Sequence, residues 1–174
     1  MNLSKAARII KLVILDVDGV LTNGTIGYGL GSDDEIKFFN VKDGCGVQML
    51  RRAGLKVAII TGRHSKANRK RAEELGFDFI KENCNPKLPA FLELLDELSI
   101  SAEECLYIGD DLIDWAVMKR CGISVAVADA DIELRRHADF CTDRKGGEGA
   151  VREVAEWLLK EQGKWKEALA FYEF

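Results

Sequence analysis

No C-x-x-C pair occurs among the five cysteines (Cys45, Cys84, Cys105, Cys121, Cys141), and their number is odd. Such scatter argues against a zinc knuckle and against a disulfide framework, and it fits a reducing, cytoplasmic setting. Long hydrophobic runs are missing as well. The apolar stretches at 12–15, 57–60 and 125–128 are four residues each, whereas a bilayer span needs about 20, so no membrane partner is expected. The opening residues, Met1-Asn2-Leu3-Ser4-Lys5-Ala6-Ala7-Arg8, carry no apolar stretch of the signal-peptide kind. Basic charge is not in excess: 25 Lys plus Arg stand against 29 Asp plus Glu, for a net charge of −4. That sets nucleic acid aside and leaves a small molecule as the expected partner. Proline is scarce, and its two copies, Pro86 and Pro89, flank Lys87.

What remains is an ordinary globular composition, 47% hydrophobic and 31% charged over 174 residues. A chain of this length is read as a single domain over 1–174 that hides roughly 70% of its unfolded surface. Apolar β-branched runs alternate with amphipathic stretches, the pattern of βαβ units around a parallel sheet. Strands are predicted near 11–15, 56–60, 77–80, 105–108 and 124–128. Helices are predicted over 46–53, 65–75, 86–98, 113–120, 132–137 and 150–161. The runs 25–28 and 35–39, joined by Gly29-Leu30-Gly31-Ser32, read as a β-hairpin inserted after the first strand, a flap spanning about 24–40. The last dozen residues, about 163–174, form a tail whose Trp165, Phe171, Tyr172 and Phe174 suggest docking on a surface.

Three apolar strands run into polar residues in the same way. Leu12-Val13-Ile14-Leu15 leads to Asp16-Val17-Asp18-Gly19, Val57-Ala58-Ile59-Ile60 to Thr61-Gly62-Arg63, and Leu106-Tyr107-Ile108 to Gly109-Asp110-Asp111. Carboxyl ends of parallel strands share one edge, where open α/β sheets bind ligands. Asp16, Asp18, Thr61, Asp110 and Asp111 are therefore expected to converge. A lone Asp at a strand end is an ordinary turn former. A set of them is different, because two carboxylates about 4 Å apart repel by roughly 4 kcal/mol at an effective dielectric near 20. The cluster calls for a cation, and an all-oxygen site suits Mg²⁺.

Lys87 supplies the opposite charge. In Asn85-Pro86-Lys87-Leu88-Pro89, Asn85 reads as a helix cap and Pro86 as the first helical residue. A lysine in that turn opposes the helix dipole unless an anion sits between it and the helix amides. These parts together describe phosphoryl transfer: Mg²⁺ and Lys87 neutralise a phosphate, Thr61 hydrogen-bonds it, Asp16 attacks phosphorus, and Asp18 shuttles the proton.

Asp16-Val17-Asp18-Gly19-Val20-Leu21-Thr22, Thr61, Lys87 and Gly109-Asp110-Asp111 resemble, in order, the four motifs of the haloacid dehalogenase (HAD) superfamily of phosphatases. Over nearly its whole length the chain is similar to the 3-deoxy-D-manno-octulosonate 8-phosphate (KDO 8-phosphate) phosphatase family. That likeness is carried by Lys37-Phe38-Phe39-Asn40-Val41-Lys42-Asp43-Gly44, Ala58-Ile59-Ile60-Thr61-Gly62-Arg63, Gly109-Asp110-Asp111-Leu112-Ile113-Asp114 and Gly149-Ala150-Val151-Arg152-Glu153-Val154. The resemblance implies a Rossmann-like three-layer α/β sandwich and release of KDO and phosphate for lipopolysaccharide synthesis. It implies Mg²⁺ held by Asp16, the Asp18 carbonyl and Asp110. It further implies substrate contacts at Asp18, Asn40, Val41, Lys42, Asp43, Gly44, position 48, Arg63, Arg71 and Lys87. A guanidinium at Arg63 or Arg71 suits the carboxylate of a sugar acid. Gln48 and Glu148 stand where the family often carries a basic residue, which keeps a nine-carbon keto-sugar acid phosphate open as the substrate. A phospho-accepting signalling domain is the reading from another class, although it has no use for Asp18. Asp114 is read either as the third residue of a capping box or as a neighbour of the metal ligands.

The intervals from Asp18 to Asp43 and from Thr61 to Lys87 fall well below the roughly 50 residues of a small domain, so no separate cap is present. The flap and the tail are the available covers. By resemblance, flaps pair in a homotetramer and roof neighbouring sites.

Overall fold

A sheet of six parallel strands forms the centre of the protein in a computed structural model, which describes residues 2–29 and 35–173. In chain order the elements are α1 (Leu3–Ala7), β1 (Leu12–Leu15), β2 (Gly27–Tyr28), β3 (Glu35–Ile36), α2 (Val41–Arg52), β4 (Lys56–Ile60), α3 (Lys66–Leu75) and β5 (Phe79–Lys81). There follow α4 (Leu88–Leu98), β6 (Cys105–Gly109), α5 (Trp115–Met118), β7 (Ile123–Ala126), α6 (Ile132–His137), β8 (Phe140–Cys141), α7 (Ala150–Glu161) and α8 (Trp165–Ala170). The sheet order is β5-β4-β1-β6-β7-β8, with every pairing parallel.

Burial on both faces explains why β1 and β6 read as unbroken apolar runs, since no alternation is needed where helices cover both sides. Leu12, Val13, Ile14 and Leu15 are fully buried. Helices α2, α3 and α7 pack together, and α4 packs with α5. Right-handed crossovers put these two groups on opposite faces. The chain moves outward from β1 through β4 to β5, then returns to the other side of β1 at β6. That reversal opens a crevice at the carboxyl ends of β1 and β6.

Several boundaries differ from the sequence reading, each for a local reason. Helix α2 begins at Val41, five residues earlier than 46, because Asn40 caps it by accepting from the Lys42 amide at 2.8 Å. Gly44 and Gly46 look like helix breakers but are sites of close approach: a β-carbon on Gly46 would stand 2.9 Å from the Arg152 Cα of α7, and one on Gly44 would strike the Arg71 guanidinium. Helix α4 starts at Leu88, with Lys87 in the cap position and Pro89 in the first turn, so the Asn85 cap and helical Pro86 are corrected. The Asn85–Pro86 bond is cis. Short α1, β8 and α8 were not anticipated. The flap ladder is two residue pairs, Gly27 with Ile36 and Tyr28 with Glu35. The expected turn at Leu30, Gly31 and Ser32, like Phe174 of the tail, lies outside the described residues.

Candidate active site

Asp16 follows the buried β1 directly and is 3% exposed. Its Oδ1 accepts from the Val17 amide at 2.7 Å, and its Oδ2 lies 2.9 Å from Lys87 Nζ. Lys87, 1% exposed, also donates to Asp114 Oδ1 at 2.7 Å and approaches the Tyr107 hydroxyl at 3.4 Å. The compensation for a cation at this helix start is thus a pair of carboxylates, not an anion held by helix amides. Asp114 links the rest. Its Oδ1 accepts from Tyr107 at 2.7 Å, and its Oδ2 accepts from the amides of Asp110 at 3.0 Å and Asp111 at 3.3 Å. It closes the capping box with Asp111 and also stands beside Asp16 and Asp110.

One oxygen each from Asp16, Asp110 and Asp114 lies within 4.8 Å of the others. With all three ionised, these carboxylates against one ammonium would leave an excess of two negative charges. Burial first, then the Asp114 charge, pushes the Asp16 carboxyl up to about 7 against the pull of Lys87. Burial, then Asp16 and Asp114, pushes Asp110 up to about 8. Burial works against the Lys87 ammonium, but Asp16 and Asp114 together hold its pKa above the ordinary lysine value. Asp110 Oδ1 is buried without a hydrogen-bond partner. A buried carboxylate oxygen left over in such an oxygen cluster fits a hard divalent cation such as Mg²⁺.

Asp16, Asp18, Thr61, Asp110 and Asp111 all line one pocket of about 240 Å³, together with Gly24, Gly62, Arg63 and Ile113. Wider depressions exist elsewhere, but they hold no such group of acids. The flap contributes a residue that the sequence did not mark as functional. Lys37, its side chain fully buried, grips Asp18 at 2.6 and 2.9 Å. Lys37 also lies 3.3 Å from Glu35, whose carboxylate is bonded by the Arg63 guanidinium, with Nε at 3.0 Å. Flap and pocket are therefore joined by the chain Asp18–Lys37–Glu35–Arg63. Tyr107 was missed as well, since a tyrosine inside an apolar strand carries no outward signal.

The remaining expected contacts lie outside this pocket. Arg71 reaches the Asn40 carbonyl at 3.4 Å and sits over the Phe39 ring. Val41 and Lys42 are exposed at the start of α2. Asp43 and Gly44 are buried, and Asp43 bonds the backbone of α7. Gln48 lines a depression with Arg51, Lys56 and Asp78, at the amino end of β4 and so on the opposite edge of the sheet. The tail docks on α2, with Tyr172 taking a hydrogen bond from Arg52 at 3.1 Å and Phe171 lying under the same guanidinium at 3.7 Å. No described tail residue lines the pocket.

Comparison with known proteins agrees with this geometry. The haloacid dehalogenase-like hydrolase family matches residues 43–122. The 3-deoxy-D-manno-octulosonate 8-phosphate phosphatase KdsC of Escherichia coli K12 is 49% identical over 162 residues, 93% of this chain and 86% of that protein. The crystal structure of the phosphatase of that name from Yersinia pestis superposes with a TM-score of 0.91 at 46% identity, covering 94% of this chain and 88% of that one. The Moraxella catarrhalis phosphatase, solved with magnesium, phosphate and KDO, gives 0.94 at 40% identity, with 97% of each chain covered. No helix among the described residues is long and apolar enough to cross a membrane. On identity, coverage and shape alike, this chain belongs to the 3-deoxy-D-manno-octulosonate 8-phosphate phosphatase family of haloacid dehalogenase-like hydrolases.

Proposed function

We propose that this protein hydrolyses KDO 8-phosphate to KDO and inorganic phosphate through an aspartyl-phosphate on Asp16. The observation that carries this reading is the close group of Asp16, Asp110 and Asp114, with Asp16 and Asp110 lining a pocket with room for a phosphoester and Lys87 and Asp114 buried behind Asp16. Asp16, Asp110 and the backbone carbonyl of Asp18 would hold Mg²⁺, which screens the phosphate from the carboxylates and steadies charge on its oxygens. Lys87 fixes the Asp16 carboxylate through Oδ2. Asp16 oxygen forms a bond to phosphorus as the bond to the sugar oxygen breaks, and protonated Asp18 gives its proton to that leaving oxygen. In the second half Asp18 takes a proton from the water that attacks the aspartyl-phosphate, which frees phosphate and restores Asp16. Lys37 on both Asp18 oxygens suits this second half, and the first half requires the flap to loosen that grip. Thr61 hydrogen-bonds a non-bridging phosphate oxygen, and Arg63 and Arg71 take the sugar-acid carboxylate.

The reading extends to a single working domain in the cytoplasm, serving lipopolysaccharide synthesis, and to a homotetramer in which flaps cover neighbouring sites. Tyr28, Ile36 and Phe38 of the flap and Val41, Leu112 and Ile113 beside it are exposed, from 47% to 80%. An isolated two-stranded hairpin is marginal in water and gains from such cover. Asn40, Val41, Lys42, Gly44 and Gln48 would serve substrate only in that assembled state, whereas Asp43, buried against the start of α7, would not touch it. The test is phosphate release from KDO 8-phosphate and from a nine-carbon keto-sugar acid phosphate, with Mg²⁺ and with chelator. The expected result is Mg²⁺-dependent turnover with kcat/KM favouring KDO 8-phosphate by about tenfold or more. Equal or reversed preference would overturn the substrate assignment.

A further inference from the structure

The first turn of α2 and the glycine turn before α7 have no direct part in the chemistry above, yet they meet. Asp43, 1% exposed, accepts from the amides of Gly149 at 3.1 Å and Arg152 at 2.9 Å. Gly149 stands in the cap position of α7 and brings no side chain to cap it with. Asp43, 106 positions away in sequence, does so from another helix. Asn40 adds a bond from its side-chain amide to the Gly147 carbonyl at 3.1 Å.

The turn held in this way, Gly146-Gly147-Glu148-Gly149, lies directly on the loop that follows β1. The Gly147 amide donates to the Val20 carbonyl at 2.9 Å. A β-carbon on Gly146 would overlap the Gly19 carbonyl, and one on Gly147 would press on the backbone of Thr22 and Asn23. Gly19 itself, at φ +92, has the Asp110 carboxylate packed where a β-carbon would stand. An unbroken line of contacts thus runs from Asp43 through the glycine turn and Gly19 to Asp110.

We infer that Asp43 is a positioning residue: by capping α7 it sets the glycine turn as the backstop of the Asp16–Gly19 loop, and so fixes the spacing of Asp16 and Asp110 that a divalent cation requires. The inference deepens the proposed phosphatase reading and rests on it for its kinetic arm only. It differs from the resemblance, under which Asp43 touches substrate.

The test compares wild type with Asp43→Asn, Asp43→Ala and Gly146→Ala. Mg²⁺ affinity is read without substrate, from the rise in unfolding midpoint on titration with MgCl₂, and KM and kcat are read at saturating Mg²⁺. Asp43→Ala and Gly146→Ala are expected to weaken Mg²⁺ binding about tenfold or more, with Asp43→Asn falling between them and wild type. KM should stay within about twofold while kcat falls. A raised KM with wild-type Mg²⁺ affinity would assign Asp43 to substrate and overturn the inference. Lost stability with unchanged Mg²⁺ affinity would overturn it too, leaving a purely structural cap. Should Asp43→Ala fail to fold, Asp43→Asn and Gly146→Ala decide. If the wild type releases no phosphate from KDO 8-phosphate, the functional reading fails while the Mg²⁺ titration still decides the role of Asp43.

Discussion

Asp16 stands at the end of a strand whose residues are wholly buried and paired on both sides, whereas Lys37 stands on a hairpin whose ladder is two residue pairs long. The carboxylate centre is held by the sheet, by Asp114 with four donors, and by the glycine turn behind Gly19. The flap is held to the pocket by ion pairs, Lys37 to Asp18 and Arg63 to Glu35, and shows its apolar side chains to solvent. Groups that must keep a fixed spacing are thus embedded in the core, and groups that must admit a substrate are fastened by charge, which a charged ligand can exchange. Opening segments are drawn from such low-stability regions.

Substitutions in the two regions should separate cleanly. The largest effect is expected from Asp16→Asn, which removes the proposed nucleophile: phosphate release should fall at least about 1,000-fold while circular dichroism stays that of wild type. Activity within tenfold of wild type would refute the assignment. Next comes Lys87→Met, which leaves Asp16 and Asp114 buried without their shared ammonium. A loss of about 3–5 kcal/mol in denaturant unfolding is expected, part of it recovered by Mg²⁺. Lys37→Ala should be milder, lowering kcat ten- to a hundredfold by releasing Asp18, with no comparable loss of stability. The smallest change in the fold should follow Phe38→Ser, within about 0.5 kcal/mol. Sedimentation velocity should nonetheless show the proposed tetramer dissociating in this variant, and a wild type that sediments as a monomer at micromolar concentration would contradict the assembly.

The same contrast explains what could be read in advance. Each strand end that carries an acid was readable because a short apolar run breaks into Asp or Thr, and parallel pairing brings such ends together whatever lies between them. The two prolines mark Lys87 in the sequence, but its partners are not legible there: Asp16 and Asp114 neutralise it, where an Asn85 cap and an anion on the helix amides are expected. Hidden from the sequence were partnerships across elements. Tyr107 sits in an apolar strand, and Lys37 sits in a flap whose register has few residues to specify it. The start of α2 was hidden by Gly44 and Gly46, whose purpose is visible only when Arg71 and Arg152 are seen beside them.

Calorimetric titration with MgCl₂ between pH 6 and pH 9 tests most directly whether Asp16 and Asp110 share a divalent ion. Burial and mutual repulsion raise Asp16 to about 7 and Asp110 to about 8, so the metal-free protein holds protons there at pH 6 that a cation must expel. The sign follows: relative to the unfolded chain, the stability that goes with these raised carboxyls is fully present below about pH 4, falls as pH rises from there, and has been lost once pH passes the folded values near 7 and 8, where Mg²⁺ binding offsets the loss. The account predicts one Mg²⁺ per chain, proton release at pH 6, and an affinity that climbs with pH and levels off above about 8. Affinity that ignores pH, or binding that Asp110→Asn leaves untouched, would contradict it.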